Sequence, residues 1–267
     1  MEQLDTMRIA GYNVAYRPRT SDEEVINDTF NKDIFFKGFP EYKIQPNHVV
    51  LDIGAHIGTY SLQLASYLSG GKVFAFEPCL DTFTLLQKNV EINGLKSVAV
   101  YKVALTDYVG TTKLFYDIEH GNWGHSIVKS FSEQGEIVET DTLSNFLTKN
   151  KLDHLDFIKF NCEGAEFKII LSTPPEQLRK VDKMLVLYHM DLEEQYTVQD
   201  LIRHLRKAGF YTEIRNIEDA GKRGWLCVMQ AGPMEKAVLA TKFRGRQLSR
   251  FSARVINKLK RMTGLKK

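Results

Sequence analysis

From residue 48 to residue 230 the chain alternates short apolar, β-branched runs with longer amphipathic stretches, punctuated by glycine, proline and asparagine. The run 48–53 centres on Val49, Val50 and Leu51, as a strand buried in a parallel sheet requires. A helical pattern follows over 57–69 and stops at Gly70-Gly71. The order repeats: strand 72–76, helix 80–93 ending at Asn93-Gly94, then strand 97–103. Residues 111–117 and 135–140 read as added strands flanking a loop, and a helix begins near Asp141. Strand 156–160, a turn at Pro174-Pro175, strand 183–188 and helix 198–208, closed by Gly209, come next. Two last strands, 210–215 and 225–230, share a short link that suits an antiparallel hairpin. The pattern predicts an α/β fold, a doubly wound, mostly parallel sheet with helices on both faces.

Two segments flank this alternation. Residues 1–45 form an N-terminal extension or cap. Within it, 12–16 alternates weakly like a strand, and Ser21 reads as a helix cap with acids at 22–24. The domain proper spans 46–232, and 233–267 is a basic tail. The tail holds eleven Lys or Arg against Glu235 alone, a net +10; the remainder holds 25 against 32 acids, a net −7. Leu248, Phe251, Val255, Leu259 and Met262 recur there at helical spacing, with Arg and Lys on other faces. Such a helix suits peripheral contact with anionic lipid at the inner membrane face. It equally suits packing on the protein's own acidic body. Nucleic acid is disfavoured, because no RNA-binding module or base-stacking array accompanies the charge. No stretch approaches eighteen apolar residues, which predicts no membrane span. Cys79, Cys162 and Cys227 are scattered, without a C-x-x-C pair, so a reducing, cytoplasmic setting is expected.

The chemistry concentrates at two strand ends. Asp52 ends the first strand and stands where a dinucleotide fingerprint has its first glycine. A carboxylate there repels a pyrophosphate but suits a cofactor with a cationic end, such as S-adenosylmethionine. Gly54 and Gly58 allow the tight turn into the helix. Glu77 ends the second strand, where an acid can accept hydrogen bonds from both ribose hydroxyls.

The runs VVLDIGAHIG, FAFEP, NVEINGL, VALTDYVG, DFIKFNCEGAE and LVLYH, spread over about 45–215, resemble the FkbM-type methyltransferases. The resemblance implies a Rossmann-like class I methyltransferase fold, with a seven-stranded sheet whose final strand is reversed. It implies S-adenosylmethionine as cofactor and methyl transfer, usually to an oxygen of a sugar, a lipid-linked glycan or a small metabolite. Carried onto this chain, Asp52, Gly54 and Gly58 shape the methionine pocket, Glu77 holds the ribose, and Ala104, Leu105 and Asp107 meet the adenine. Ala55, His56, Pro78 and Asn161 are further candidates for cofactor contact. Asp107 reads equally well as a turn residue before Gly110.

Three positions depart from the family pattern: Asn161, Ser144 and Tyr188 stand where carboxylates are common. Magnesium prefers oxygen anions, so no bound metal is expected. A weak or inactive relative is one alternative, and a nucleic-acid methyltransferase using the tail is another. A hydroxyl acceptor must still lose its proton. Glu163 is the first candidate base, followed by His189 and His125; a histidine at a strand end is also commonly just a hydrogen-bonding group. Lys159 is expected to pair with an acid inside the sheet. The loop 120–126, with Trp123, has the glycines and polar groups of a substrate lid.

Overall fold

The computed structural model describes residues 4–117 and 124–232, with Met234, Val238, Leu239 and Thr241 beyond them. The loop residues through Trp123 and nearly all of the basic tail lie outside this set. The chain divides into units Met1–Met229 and Gln230–Lys267. In the second unit Met234, Val238, Leu239 and Thr241 are helical.

In chain order the first unit has β1 (Asp5–Ile9), β2 (Tyr12–Tyr16), α1 (Ser21–Ile26), a π-helical turn (Asn27–Asn31) and α2 (Ile34–Gly38). Then come β3 (Val49–Ile53), α3 (Thr59–Ala65), β4 (Lys72–Phe76), α4 (Leu80–Ile92) and β5 (Val98–Tyr101). An insertion follows, with β6 (Ala104–Thr106), β7 (Gly110–Phe115) and β8 (Gly135–Thr142), before α5 (Leu143–Lys149). The chain continues through β9 (Leu155–Phe160), α6 (Ala165–Ser172), α7 (Pro175–Leu178) and β10 (Val181–His189). It closes with α8 (Val198–Lys207), β11 (Phe210–Glu218) and β12 (Arg223–Gln230).

The main sheet has seven strands in the order β11-β12-β10-β9-β3-β4-β5. The pairs from β10 through β9, β3 and β4 to β5 are parallel, and β12 runs antiparallel to β10. Leu51, Ile158, Phe160 and Val186 on the strands, with Phe167 and Leu205 on helices, belong to one buried core. Helix α8 shows why the amphipathic pattern works. Val198, Leu201, Ile202 and Leu205 fall on one buried face, Thr197 and Asp200 form a reciprocal capping box, and Gly209 (φ +101°) ends the helix.

Four details differ from the sequence reading. The helix expected over 57–69 is only Thr59–Ala65. Gly58 holds a left-handed φ of +90° ahead of it, and the Pro46 carbonyl draws the N–H groups of Ser69, Gly70 and Gly71 into a turn. The strand expected over 97–103 ends at Tyr101, and Ala104–Thr106 joins β8 in a second sheet with β7. The cap of α1 is Thr20, whose hydroxyl accepts from Asp22 N, rather than Ser21. Finally, β2 has a partner the pattern did not reveal, β1. The N-terminal segment is tied to the body through Asn89 on α4, which bonds both Ala15 N and Ala15 O and also Ile57 O. No helix of the described residues is long and apolar enough to cross a membrane.

Candidate functional site

A cavity of about 290 Å³ opens at the carboxyl ends of β3, β4, β9 and β10. Ligand sites form at such strand ends because the loops there diverge from a rigid sheet. The parallel register sets Asp52 directly opposite Lys159. Lys159 Nζ donates to Asp52 Oδ1 at 2.9 Å and to Gly54 O at 2.7 Å, and Ser61 Oγ donates to Asp52 Oδ2 at 2.7 Å. Both charged groups are buried, so neither is stable without the other. Asp52 therefore stands behind the loop and does not line the cavity; Gly58 does not line it either.

The loop after β3 follows from its glycines. Gly54 has φ +76°, and a Cβ there would lie 1.8 Å from Asn161 O. Only glycine lets the loops after β3 and β9 touch. His56, also left-handed at φ +52°, donates its backbone N–H to Glu77 Oε2 at 3.0 Å. Cys79 N donates to Glu77 Oε1 at 3.0 Å. Glu77 is buried and lines the cavity. Burial outweighs those two hydrogen bonds and lifts its pKa to about 7. Both ring nitrogens of His56 are buried and make no hydrogen bond among the described residues. Its Nε2 lies 3.5 Å from Asp22 Oδ1, a carboxylate already held by Arg17. Burial holds the His56 pKa down to about 4, so the ring is neutral at pH 7.

The second group sits after β9 and β10. Glu163 has φ +51° and Gly164 +97°, a backbone shape that stores about 1–3 kcal/mol at a non-glycine residue. Glu166, fully buried in the first turn of α6, accepts four hydrogen bonds. Oε1 takes His189 N (2.8 Å) and His189 Nδ1 (3.1 Å); Oε2 takes Gly164 N (3.0 Å) and Cys162 Sγ (3.5 Å). His189 Nε2 then lies 3.7 Å from Glu163 Oε2. Burial pulls the His189 pKa down, but the carboxylates of Glu163 and Glu166 prevail and raise it to about 9. Burial raises the Glu163 carboxyl above the usual carboxylate range, against the pull of His189. Ser126 Oγ donates to Glu163 O at 2.7 Å, and Gly124 packs so close that a Cβ there would lie 3.0 Å from Glu163 Oε2.

Of the residues singled out in the sequence, Gly54, Ala55, His56, Glu77 and Pro78 line one side of the cavity, with Ala104 and Leu105 beside them. Asn161, Glu163, His189, His125 and Tyr188 also line it. His125 Nδ1 accepts the Asp117 N–H at 3.1 Å, and burial lowers its pKa. Asp107 does not line the cavity: its side chain is exposed and accepts the Thr106 hydroxyl at 3.0 Å. Ser144 also lies elsewhere, on α5. The sequence reading missed the contribution of the N-terminal segment, where Val25, Asp28, Thr29, Ile34 and Phe35 close the cavity. It also missed Tyr60, Arg223 and Trp225. Nothing in local periodicity marks these as cavity residues. Among the described residues, one group could hold a metal ion, His154, Asp156 and Asp182. It lies where β9 and β10 begin, at the opposite end of those strands from the cavity.

The methyltransferase FkbM domain family matches residues 52–211. Methyltransferase 1 of Beauveria bassiana is 25% identical over 176 residues, 58% of this chain and 71% of that protein. The AMB antimetabolite synthetase AmbE of Pseudomonas aeruginosa is 24% identical over 246 residues, 78% of this chain but 11% of the synthetase. Among solved structures, methyltransferase FkbM from Methylobacillus flagellatus superposes with a TM-score of 0.50 at 15% identity, covering 73% of this chain and 46% of that one. That likeness concerns the fold. The chain therefore spans less than half of the solved methyltransferase and a small part of the synthetase.

Proposed function

The chain belongs to the FkbM methyltransferase family, and on that premise we propose that it moves a methyl group from S-adenosylmethionine to a hydroxyl oxygen of a sugar, a lipid-linked glycan or a small metabolite. The residues present fit that cofactor. Among the described residues Glu77 is a buried carboxylate with two N–H partners, and His56 offers two buried ring nitrogens with no hydrogen bond, both on the cavity wall. Buried polar groups left this way call for a ligand that completes them. Glu77 would hold ribose hydroxyls, Ala104 and Leu105 the adenine face, and Gly54, Ala55 and His56 the amino-acid end, with Pro78 and Asn161 beside it. When bound, the cofactor supplies a methyl group already activated on a sulfonium.

The protein's own task is to orient the acceptor and take its proton. The observation that carries the oxygen-directed reading is Glu163, a carboxylate 13% exposed, with raised pKa on the cavity wall, 3.7 Å from His189. Glu163 is the base. His189, charged at neutral pH, faces the carboxylate with Nε2 at 3.7 Å and holds it in place by charge. His125 uses Nδ1 to accept from the backbone and serves as wall rather than base.

Calorimetric titration with S-adenosylmethionine tests the reading on wild type, Glu77→Ala and Glu163→Gln. Binding is expected in the wild type and in Glu163→Gln and is expected to vanish in Glu77→Ala. Glu163→Gln should lower the rate of methyl transfer by about 100-fold or more without weakening cofactor binding. Unchanged turnover in Glu163→Gln would remove the base assignment.

A further inference from the structure

Glu77 and His56 line the cavity with Ala104, Leu105 and Leu114, whereas Ile34, Phe35, Tyr60, Leu187, Tyr188 and Trp225 give it an aromatic and aliphatic wall. The Phe35 ring centre is 4.6 Å from that of Tyr60 and 6.0 Å from that of Trp225, whose plane is tilted by only 23°. Lys159 Nζ lies 5.6 Å from the Phe35 ring centre. Two glycines make room for this wall. A Cβ at Gly38 would fall 2.0 Å from Trp225 Cζ3, and one at Gly224 would fall 2.6 Å from the Tyr188 hydroxyl.

The polar groups on this side are mostly satisfied within the protein. Thr29 and Thr59 share a hydrogen bond at 2.8 Å, Lys32 forms an ion pair with Asp28 and Arg223 with Asp191, each at 2.6 Å, although Asp28 Oδ1 and Asp191 Oδ1 make no hydrogen bond among the described residues. Among the described residues the hydroxyls of Tyr60 and Tyr188 have no hydrogen-bond partner, and Glu218 stands exposed among the lining residues. A sugar carries a hydroxyl on nearly every ring carbon, and each one buried without a partner costs about 1–3 kcal/mol. Two phenols, the Trp225 indole N–H and one exposed carboxylate fall short of that demand. A flat, apolar ring with one or two oxygens needs no more, and the Phe35, Tyr60 and Trp225 rings give it aromatic surface to pack on.

Resting on the methyltransferase reading of this cavity, we infer that the acceptor is a planar aromatic or conjugated ring bearing the reacting hydroxyl, a phenol or an enol, and that Phe35 and Trp225 select it. The proton chemistry agrees. A phenol ionises near 10, as tyrosine does, so a carboxylate of raised pKa can take its proton, whereas it is a poor match for the far less acidic hydroxyl of a sugar. The acceptor oxygen forms its bond to the methyl carbon as the sulfur–methyl bond breaks. Its proton passes to Glu163, and the sulfonium leaves as a neutral thioether.

The test uses the full chain with S-adenosylmethionine, 2-naphthol and methyl α-glucoside as probes. Binding is read by saturation-transfer NMR and methyl transfer by release of S-adenosylhomocysteine. 2-Naphthol is expected to bind and be methylated, and the glucoside to do neither. Trp225→Ala should weaken 2-naphthol about tenfold or more, and Tyr188→Phe, which keeps the shape, severalfold. A thermal melt of each variant separates lost contact from lost fold. Methylation of the glucoside but not of 2-naphthol would overturn the inference and leave the methyltransferase reading intact. So would unaltered 2-naphthol binding in a Trp225→Ala protein that melts like wild type. Failure of S-adenosylmethionine itself to bind would overturn the reading of the cavity together with the inference.

Discussion

Glu166→Gln is the perturbation that isolates one charge while keeping its volume. His189 is buried between Glu163 at 3.7 Å and Glu166 at 3.1 Å, with Arg223 and Asp191 as the other charged groups around it. A lift from the ordinary 6.5 to about 9 corresponds to about 3 kcal/mol in favour of the charged ring. Burial opposes it, so the two carboxylates together supply more than that. Removing one opposite charge in contact should lower the pKa by about one to two pH units, Glu163 retaining the rest. The glutamine amide also turns an N–H toward either Gly164 N or the backbone of His189, which costs about 1–3 kcal/mol of stability. The sign follows from linkage. A folded-state pKa above the unfolded one gives stability that is complete below pH 6.5 and is lost as the pH rises through 9. In the variant the alkaline decline should therefore be smaller and end at a lower pH than in wild type. The assay is an NMR titration of the histidine ring signals, with His189 assigned by substitution. A wild-type His189 titrating at or below 6.5, or a variant titrating with wild type, would refute the argument.

Lys159→Met should destabilise the protein by about 3–5 kcal/mol, because it strands Asp52 as a buried charge; adding Asp52→Asn should recover part of that, and a urea midpoint for Lys159→Met close to wild type would contradict it. His56, held neutral with a pKa of about 4, must stay unprotonated in the fold while the unfolded chain takes a proton near 6.5. Stability should therefore rise by up to about 3 kcal/mol between pH 4 and 6.5, and His56→Asn, which tolerates the left-handed backbone, should flatten that part of the curve. Identical pH curves for the two proteins would show that His56 does not titrate this way.

Local pattern was enough for the main architecture. Apolar, β-branched strand runs, helices with glycine stops, and Gly54 and Glu77 at the strand ends point to an α/β sheet with a cavity at those ends, because each depends on neighbours within a few residues. Glu163 and His189 were legible as strand-end groups for the same reason, and both line the cavity. The identity of their partners was not. Lys159 meets Asp52 through a register across 107 positions, and Glu166 fixes His189 across 23, distances over which periodicity carries no information. Asp107 turned out to be exposed rather than part of the cavity wall because the chain bends after Tyr101 into a second sheet. The N-terminal segment looked like an extension ahead of the sheet. Tertiary packing through Asn89, Arg17 and Asp22 brings Phe35 over the strand ends and opposite Trp225, about 190 residues later in the chain, and so decides the shape of the acceptor half.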